Sequence, residues 1–385
     1  MLKLPRTSLN RLSPVNVTKT TLGRRGPSNQ WGSLMMNNRR NFFNNARKLW
    51  LSFADETPPK DEVNPYIKYP ILTNEIMKKI PVDKYQFDFS YASFGYHSQL
   101  SLPMIHSLSD LTEPTQLNSL LPKRRPQGSP SDTLSIKAGD DAMLVSPSIL
   151  AIADGVSGWE SQENMSDSGI WSRSMLETLS RLMTEYKINH APHLLAKRDL
   201  DQILDDSFLH TLHLMDLQKL SGSSTLILSM ISGDLLQLIS IGDSKLFVIR
   251  DGKIIKTNEE QMLSPLCPQQ IGTQTLNNIP SQMAWMDQIE IKNDDIVIVC
   301  SDGITDNLYD WEILEIINNY STKSLKYITQ KILIRAKEVA FDDYSYTPHN
   351  EKVNNLPGGL GGGTSQGGKI DDMTIAMGKI QHRCK

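Results

Sequence analysis

Cysteine is scarce in this chain. Cys267, Cys300 and Cys384 are the three present. Their spacing suits neither a metal-ligand set nor a disulfide framework, as expected for a reducing compartment. Long apolar runs are missing too. No stretch approaches the ~18 consecutive apolar residues of a membrane helix, so no span is expected. The N-terminus lacks the apolar core of a secretory signal. Acid is absent from a whole region: residues 1–54 hold ten Lys/Arg and no Asp or Glu, and Asp55 is the first. An Arg-rich, Ser/Asn-rich and acid-free leader has the composition of a mitochondrial transit peptide. A basic disordered tail is the alternative. The rest of the chain holds 30 basic and 43 acidic residues. That acidic body excludes a general nucleic-acid binder.

The patterning after the leader divides the chain. Residues 55–84 carry five prolines and read as a linker or an arm. Residues 85–96, YQFDFSYASFGY, alternate aromatic and polar side chains, as a strand with one buried face does. Residues 101–135 are rich in Ser, Pro and Leu and read as a surface insertion, with Lys123 to Arg125 as a solvated charge run. Helical spacing recurs over residues 170–186, 200–220, 311–320 and 325–339. Strand patterns fall at 225–231, 235–240, 246–250, 254–257, 289–291, 296–300 and 373–377, with Gly233-Asp234 and Asp251-Gly252 as hairpin turns. Residues 348–368 are assigned to a glycine-rich loop. Helices in runs and strands in runs imply an α+β domain over 85–382, antiparallel sheet covered by helices.

Within that domain the organising stretch is residues 139–159, GDDAMLVSPSILAIADGVSGW. Two apolar runs flank Ser146-Pro147-Ser148, which is turn chemistry. Asp141 and Asp154 are equidistant from the turn centre, so a hairpin brings them side by side. Two facing carboxylates repel and need compensation. No Lys or Arg lies inside the hairpin, which points to a cation. Further acids stand at strand ends: Asp243 in IGDSK, Asp302 and Asp306 in CSDGITDN, Asp371 and Asp372 in KIDDMT. A lone Asp-Gly is usually a turn; this many at strand ends make a carboxylate cluster at one sheet edge. Hard oxygen donors select Mg²⁺ or Mn²⁺ over Zn²⁺. Aspartates from several strands suit two metals roughly 3.5–4 Å apart, and the chemistry implied is phosphate ester hydrolysis by activated water.

In this order and spacing, GDDA, ADGVSGW, GSST, IGDSK, CSDGITDN and KIDDMT resemble the metal-dependent serine/threonine protein phosphatases of type 2C, from about Tyr85 to the C-terminus. With its acid-free leader, the chain most resembles the mitochondrial branch of that family. The resemblance implies two antiparallel sheets packed face to face with helices on both outer faces, and a monomer. It implies two or three ions. Asp154 would bridge two of them, with the Gly155 carbonyl, Asp302 and Asp371 beside it and Asp141 on the second ion. Asp154, Asp302 and Asp371 would be the catalytic set. Asp243 and Asp306 match a weaker third metal site shared with Asp302. Asp140 stands where the family has Glu, and Asp372 would hydrogen-bond metal waters. The implied substrates are phosphoserine and phosphothreonine in mitochondrial matrix proteins, including those of coenzyme Q biosynthesis. A catalytically inactive scaffold that binds a partner protein, and a two-metal hydrolase of small phosphate esters, are the alternatives.

The chain departs from the family pattern twice. Many members have Asp-Gly-His-Gly, whose His is a proposed proton donor; here Val156 takes that place, leaving water or Ser157. The family's phosphate-holding Arg is absent, and Lys137 is the nearest basic residue. Three other signals are weak. Gly363 and Gly368-Lys369 fit part of a phosphate-loop pattern, but Ile370 replaces its Ser/Thr. The His190/His193 and His210/His213 pairs read as ordinary surface or half-buried histidines. Cys267 and Cys300 lack the downstream Arg of a cysteine phosphatase, and Cys300 reads as core.

Overall fold

Twelve strands build two antiparallel sheets, and their facing sides make the core. In chain order they are β1 (Tyr85–Phe94), β2 (Lys123–Arg124), β3 (Leu134–Ala138), β4 (Asp141–Val145), β5 (Ile149–Ala153), β6 (Leu226–Ser232), β7 (Leu235–Ile241), β8 (Lys245–Arg250), β9 (Lys253–Thr257), β10 (Trp285–Glu290), β11 (Ile296–Cys300) and β12 (Met373–His382). One sheet runs β1-β12-β11-β8-β9 and the other β10-β7-β6-β5-β4-β3-β2. The computed structural model describes residues 80, 82–96, 123–126, 128–157, 165–190, 195–275, 279–356 and 363–383. They all belong to one unit, Phe53–Lys385. The leader 1–54, most of the 55–84 arm, residues 97–122, His193, loop residues 357–362 and Cys384 lie outside the described residues.

Strand periodicity assigns the two faces. On β11, Val297 and Val299 enter the core between the sheets with Ile152, Ile227, Leu238 and Ala376. Their neighbours Ile298 and Cys300 face the other way, into a second core with Ile313, Ile317, Ile332 and Met377. Helices α3 (Asp310–Asn319) and α4 (Leu325–Ala340) close that second core. Helix α1 (Ser168–His190) covers the seven-stranded sheet, lying on β3, β4 and β5, and α2 (Lys197–Gln218) packs against α1. Trp171 of α1 is fully buried and meets Phe208 of α2 edge to face at 5.9 Å. Burying such a side chain contributes about 1.5–3 kcal/mol. The expected sandwich of two sheets between helical layers is therefore present.

Three local readings change. Lys123 and Arg125 are exposed, as a solvated run would be, but Arg124 between them is not. Lys123 and Arg124 form the edge strand β2, and the Arg124 guanidinium sits at 2.8 Å and 2.9 Å from the Glu177 carboxylate of α1. A charge that pairs across elements is not visible in local sequence. Residues 348–354 of the expected glycine-rich loop form a helix instead. Thr347 caps it by accepting from the Asn350 N–H at 3.3 Å, and Pro348 occupies its first turn. The closing strand continues to His382, because it pairs along its length with β1.

Candidate metal centre

Strand register carries the acids to one end of the sandwich. In the β4–β5 hairpin Ala142 faces Ala153, so Asp141 and Asp154 stand opposite each other, as the turn position predicts. In the other sheet Lys245 of β8 faces Cys300 of β11, which faces Ile375 of β12. Asp302 therefore leaves β11 beside the start of β12, where Asp371 enters. Asp243 lies in the short link between β7 and β8, where the chain crosses from one sheet to the other.

Backbone and hydroxyl contacts hold these ends in place. Thr225 donates its N–H to the Asp154 carbonyl at 2.9 Å and accepts the Asp154 N–H on its hydroxyl at 3.2 Å. Gly155 bridges Ser224, and a Cβ there would overlap the Asp140 carbonyl, so only glycine permits this approach. In the five-stranded sheet Thr374 and Ser301 exchange bonds at 3.0 Å. The Thr374 hydroxyl then donates to Asp141 at 2.7 Å. Asp372 makes backbone contacts that the sequence pattern does not announce. Its carboxylate accepts the N–H of Tyr96 at 2.6 Å and of Asp140 at 2.7 Å, and presses on Gly139, whose φ of +65° favours glycine. Asp372 is thus a clamp between β12 and the β3–β4 turn, and its burial pushes its pKa up to about 6.

The electrostatics are those of a site short of positive charge. Asp154, Asp243 and Asp302 bring carboxylate oxygens within 4.8 Å of one another. Burial first, and the neighbouring Asp141, Asp302, Asp243 and Asp371 next, raise the Asp154 pKa well above the ordinary value. Asp141, only 1% exposed, is raised by burial and by Asp372 and Asp371. Burial and the charges of Asp302 and Asp306 push Asp243 up to about 7. One of its oxygens, Oδ1, is buried with no hydrogen-bond partner. A buried, unsatisfied carboxylate oxygen among other carboxylates fits a hard divalent cation. Asp141, Asp154, Asp243, Asp302 and Asp371 are the residues that could hold it.

Not every expected residue joins that group. Asp306 is flanked by two ammonium groups, Lys369 at 2.7 Å and Lys352 at 3.3 Å, and by the His349 ring at 3.6 Å. Despite burial, His349, Lys369 and Lys352 together pull its pKa down. Lys137 of β3 lies beside the start of α1, where its Nζ would sit 2.6 Å from a Cβ on Gly169. Its charge acts on Asp140, whose pKa burial nevertheless raises. Val156 offers only backbone: its carbonyl accepts the Ser168 hydroxyl at 2.6 Å, and its N–H goes to Ser223 at 3.0 Å. Of the discounted residues, Cys300 is core, and burial pushes the His210 pKa down to about 4. Sequence reasoning missed Lys369 and Lys352. Lys369 was in view two residues before Asp371, but as part of a phosphate-loop pattern.

No protein-family model matches the chain. By sequence it is 26% identical over 256 residues to probable protein phosphatase 2C 26 of Arabidopsis thaliana, covering 63% of this chain and 78% of that protein. It is 25% identical over 313 residues to probable protein phosphatase 2C 1 of Oryza sativa subsp. japonica, covering 74% and 86%. The human protein phosphatase PTC7 homolog is 27% identical over 256 residues, covering 62% and 78%. Among solved structures, the photosystem II phosphatase PBCP matches with a TM-score of 0.53 at 23% identity, over 64% of this chain and 93% of that one. The architecture is that of the type 2C phosphatases. In sequence, too, the chain is similar to proteins named type 2C protein phosphatases.

Proposed function

We propose that this chain is a Mg²⁺- or Mn²⁺-dependent protein phosphatase that hydrolyses phosphoserine and phosphothreonine. The observation that carries this reading is the Asp154–Asp243–Asp302 group with the buried, unpartnered Asp243 Oδ1. Asp154, Asp302, Asp371, Asp141 and the Gly155 carbonyl would hold two ions, and Asp243 would extend the set. Bound divalent cations supply a water of lowered pKa and neutralise phosphoryl oxygens. The chain's own part is to hold the donors rigid. Thr225 fixes Asp154, the Ser301–Thr374 pair locks β11 to β12, and the Thr374 hydroxyl reaches across to Asp141 of the other sheet. With Val156 beside Gly155, no side chain at that position hands a proton to the departing alkoxide, so solvent supplies it. Phosphate release from a serine or threonine phosphopeptide is expected with Mn²⁺, lost with EDTA and restored by fresh metal. Mn²⁺ binding without turnover of any phosphopeptide would favour the partner-binding scaffold.

The substrates we propose are phosphoproteins of the mitochondrial matrix, including proteins of coenzyme Q biosynthesis. The support is the acid-free leader and the resemblance to the mitochondrial branch, to which the similarity to the human PTC7 homolog adds. A reporter carrying residues 1–54 is expected to enter mitochondria. A cytosolic reporter would remove the localisation.

A further inference from the structure

The acidic edge divides into two halves by how its charge is compensated. Among the described residues, no ion pair reaches Asp141, Asp154 or Asp243. The other half is different. The Lys369 ammonium lies 2.6 Å from Asp302, 2.7 Å from Asp306 and 3.1 Å from Asp371. A lysine ammonium has three N–H donors and no acceptor. Asp302 and Asp306 accept two of its hydrogen bonds and Asp371 adds a third carboxylate in ion-pair range, in a corner where the Asp302 and Asp306 side chains are only 15% and 5% exposed.

That placement is built into the backbone. Asn307, itself buried, accepts the Lys369 N–H on its side-chain oxygen at 3.0 Å. Its amide nitrogen donates to the Lys369 carbonyl at 2.8 Å and to the Gly303 carbonyl at 2.9 Å. Just upstream, Gly367 and Gly368 donate to the carbonyls of Ser345 and Asp342 at 2.8 Å and 3.0 Å. The lysine is thus delivered to the corner by a pinned segment. Lys352 adds a second ammonium beside Asp306, and the His349 ring lies 3.6 Å from it. Lys352 is itself shared with Glu260 at 3.0 Å.

We infer that Lys369 is a tethered cation of this centre, occupying the Asp302–Asp306–Asp371 corner in place of a further divalent ion beyond the two proposed above. The inference rests on the reading of the acidic edge as a metal centre. Asp302 belongs to both halves, so the ammonium also sets how much negative charge Asp302 offers to the Asp154–Asp243 side. A covalently held cation does not dissociate, so the corner stays compensated whatever the free metal concentration. Asp306 is then an ion-pair partner of Lys369 and Lys352, not a metal ligand.

The test is Mn²⁺ stoichiometry by equilibrium dialysis on the full chain. Lys369→Met should bind one more Mn²⁺ per chain than the wild type. Its metal-free form should melt lower than the wild type, with Mn²⁺ recovering the loss. The same non-zero stoichiometry in both proteins would overturn the inference and leave the metal centre standing. No Mn²⁺ in either would overturn the metal reading and, with it, the stand-in lysine. A second measurement needs no variant. Lysine acetylation read by peptide mass spectrometry should show Lys369 equally protected in metal-free and Mn²⁺-loaded wild type. Labelling of Lys369 that rises several-fold on Mn²⁺ loading would show the ion displacing the ammonium, and would also overturn the inference.

Discussion

Asp154→Asn should abolish phosphate release from a phosphopeptide while leaving the fold intact. The substitution keeps the shape of the side chain and the backbone bonds to Thr225. It removes one negative charge and one strong oxygen donor from the middle of the cluster, where Asp141, Asp302, Asp243 and Asp371 all act on the same carboxylate. A bound cation contributes several kcal/mol to a charged transition state. The expected loss is about 10³-fold or more, equivalent to about 4 kcal/mol. The control is stability. Because burial disfavours the charged form of Asp154, the metal-free variant should melt no lower than the wild type. Activity within tenfold of the wild type would sink the metal mechanism. A large drop in metal-free melting temperature would instead mean that the variant fails by unfolding.

Asp243→Asn should stabilise the metal-free protein, and more so as pH rises. The Asp243 pKa lies at about 7 in the folded chain, mainly because it is buried and then because Asp302 and Asp306 are near. An unfolded aspartate titrates near about 4. The folded state therefore binds this proton more tightly. Its stabilising contribution is fully present below about pH 4 and is lost as pH rises through about 7. Asparagine stays neutral throughout. In EDTA the advantage of Asp243→Asn over the wild type should grow between these limits to about 2–4 kcal/mol, taking 1.36 kcal/mol per pKa unit as the upper scale. With Mn²⁺ the order should reverse, because the carboxylate then has its cation and the amide does not. Thermal melts of both proteins at pH 5 and pH 8, with EDTA and with Mn²⁺, measure all four states. Curves that stay parallel in EDTA would show that Asp243 carries no such strain.

The parts of this protein legible in sequence are those that local pattern encodes. The hairpin around Ser146-Pro147-Ser148 needs only two apolar runs and a turn, and its register follows from equal arm lengths. The two-residue Asp251-Gly252 turn between β8 and β9 is as local. Helices α1, α3 and α4 announce themselves by apolar spacing. The acids at strand ends could be gathered to one edge because antiparallel strands alternate direction, and strand ends that share a direction share an edge.

Charge partnership was not legible. Arg124 with Glu177, Lys369 with its three carboxylates, and Lys352 with Asp306 join residues 46 to 67 positions apart, or, for Lys369 and Asp371, only two apart but on a pinned loop. Nothing in a one-dimensional pattern says which charge a lysine will meet, since a solvated charge and a paired one look alike. Sequence alone determined the α+β class, the order of the strands and which aspartates end them, because those depend on periodicity and turn chemistry within a few residues. Only the tertiary structure decided how those aspartates divide. Asp154, Asp243 and Asp302 gather where, among the described residues, no ion pair forms with Asp154 or Asp243, while Lys369 spans Asp302, Asp306 and Asp371. Asp372 closes the edge as a backbone clamp. The division follows from Asn307 and the 366–368 segment, which pin the lysine at that corner in three dimensions.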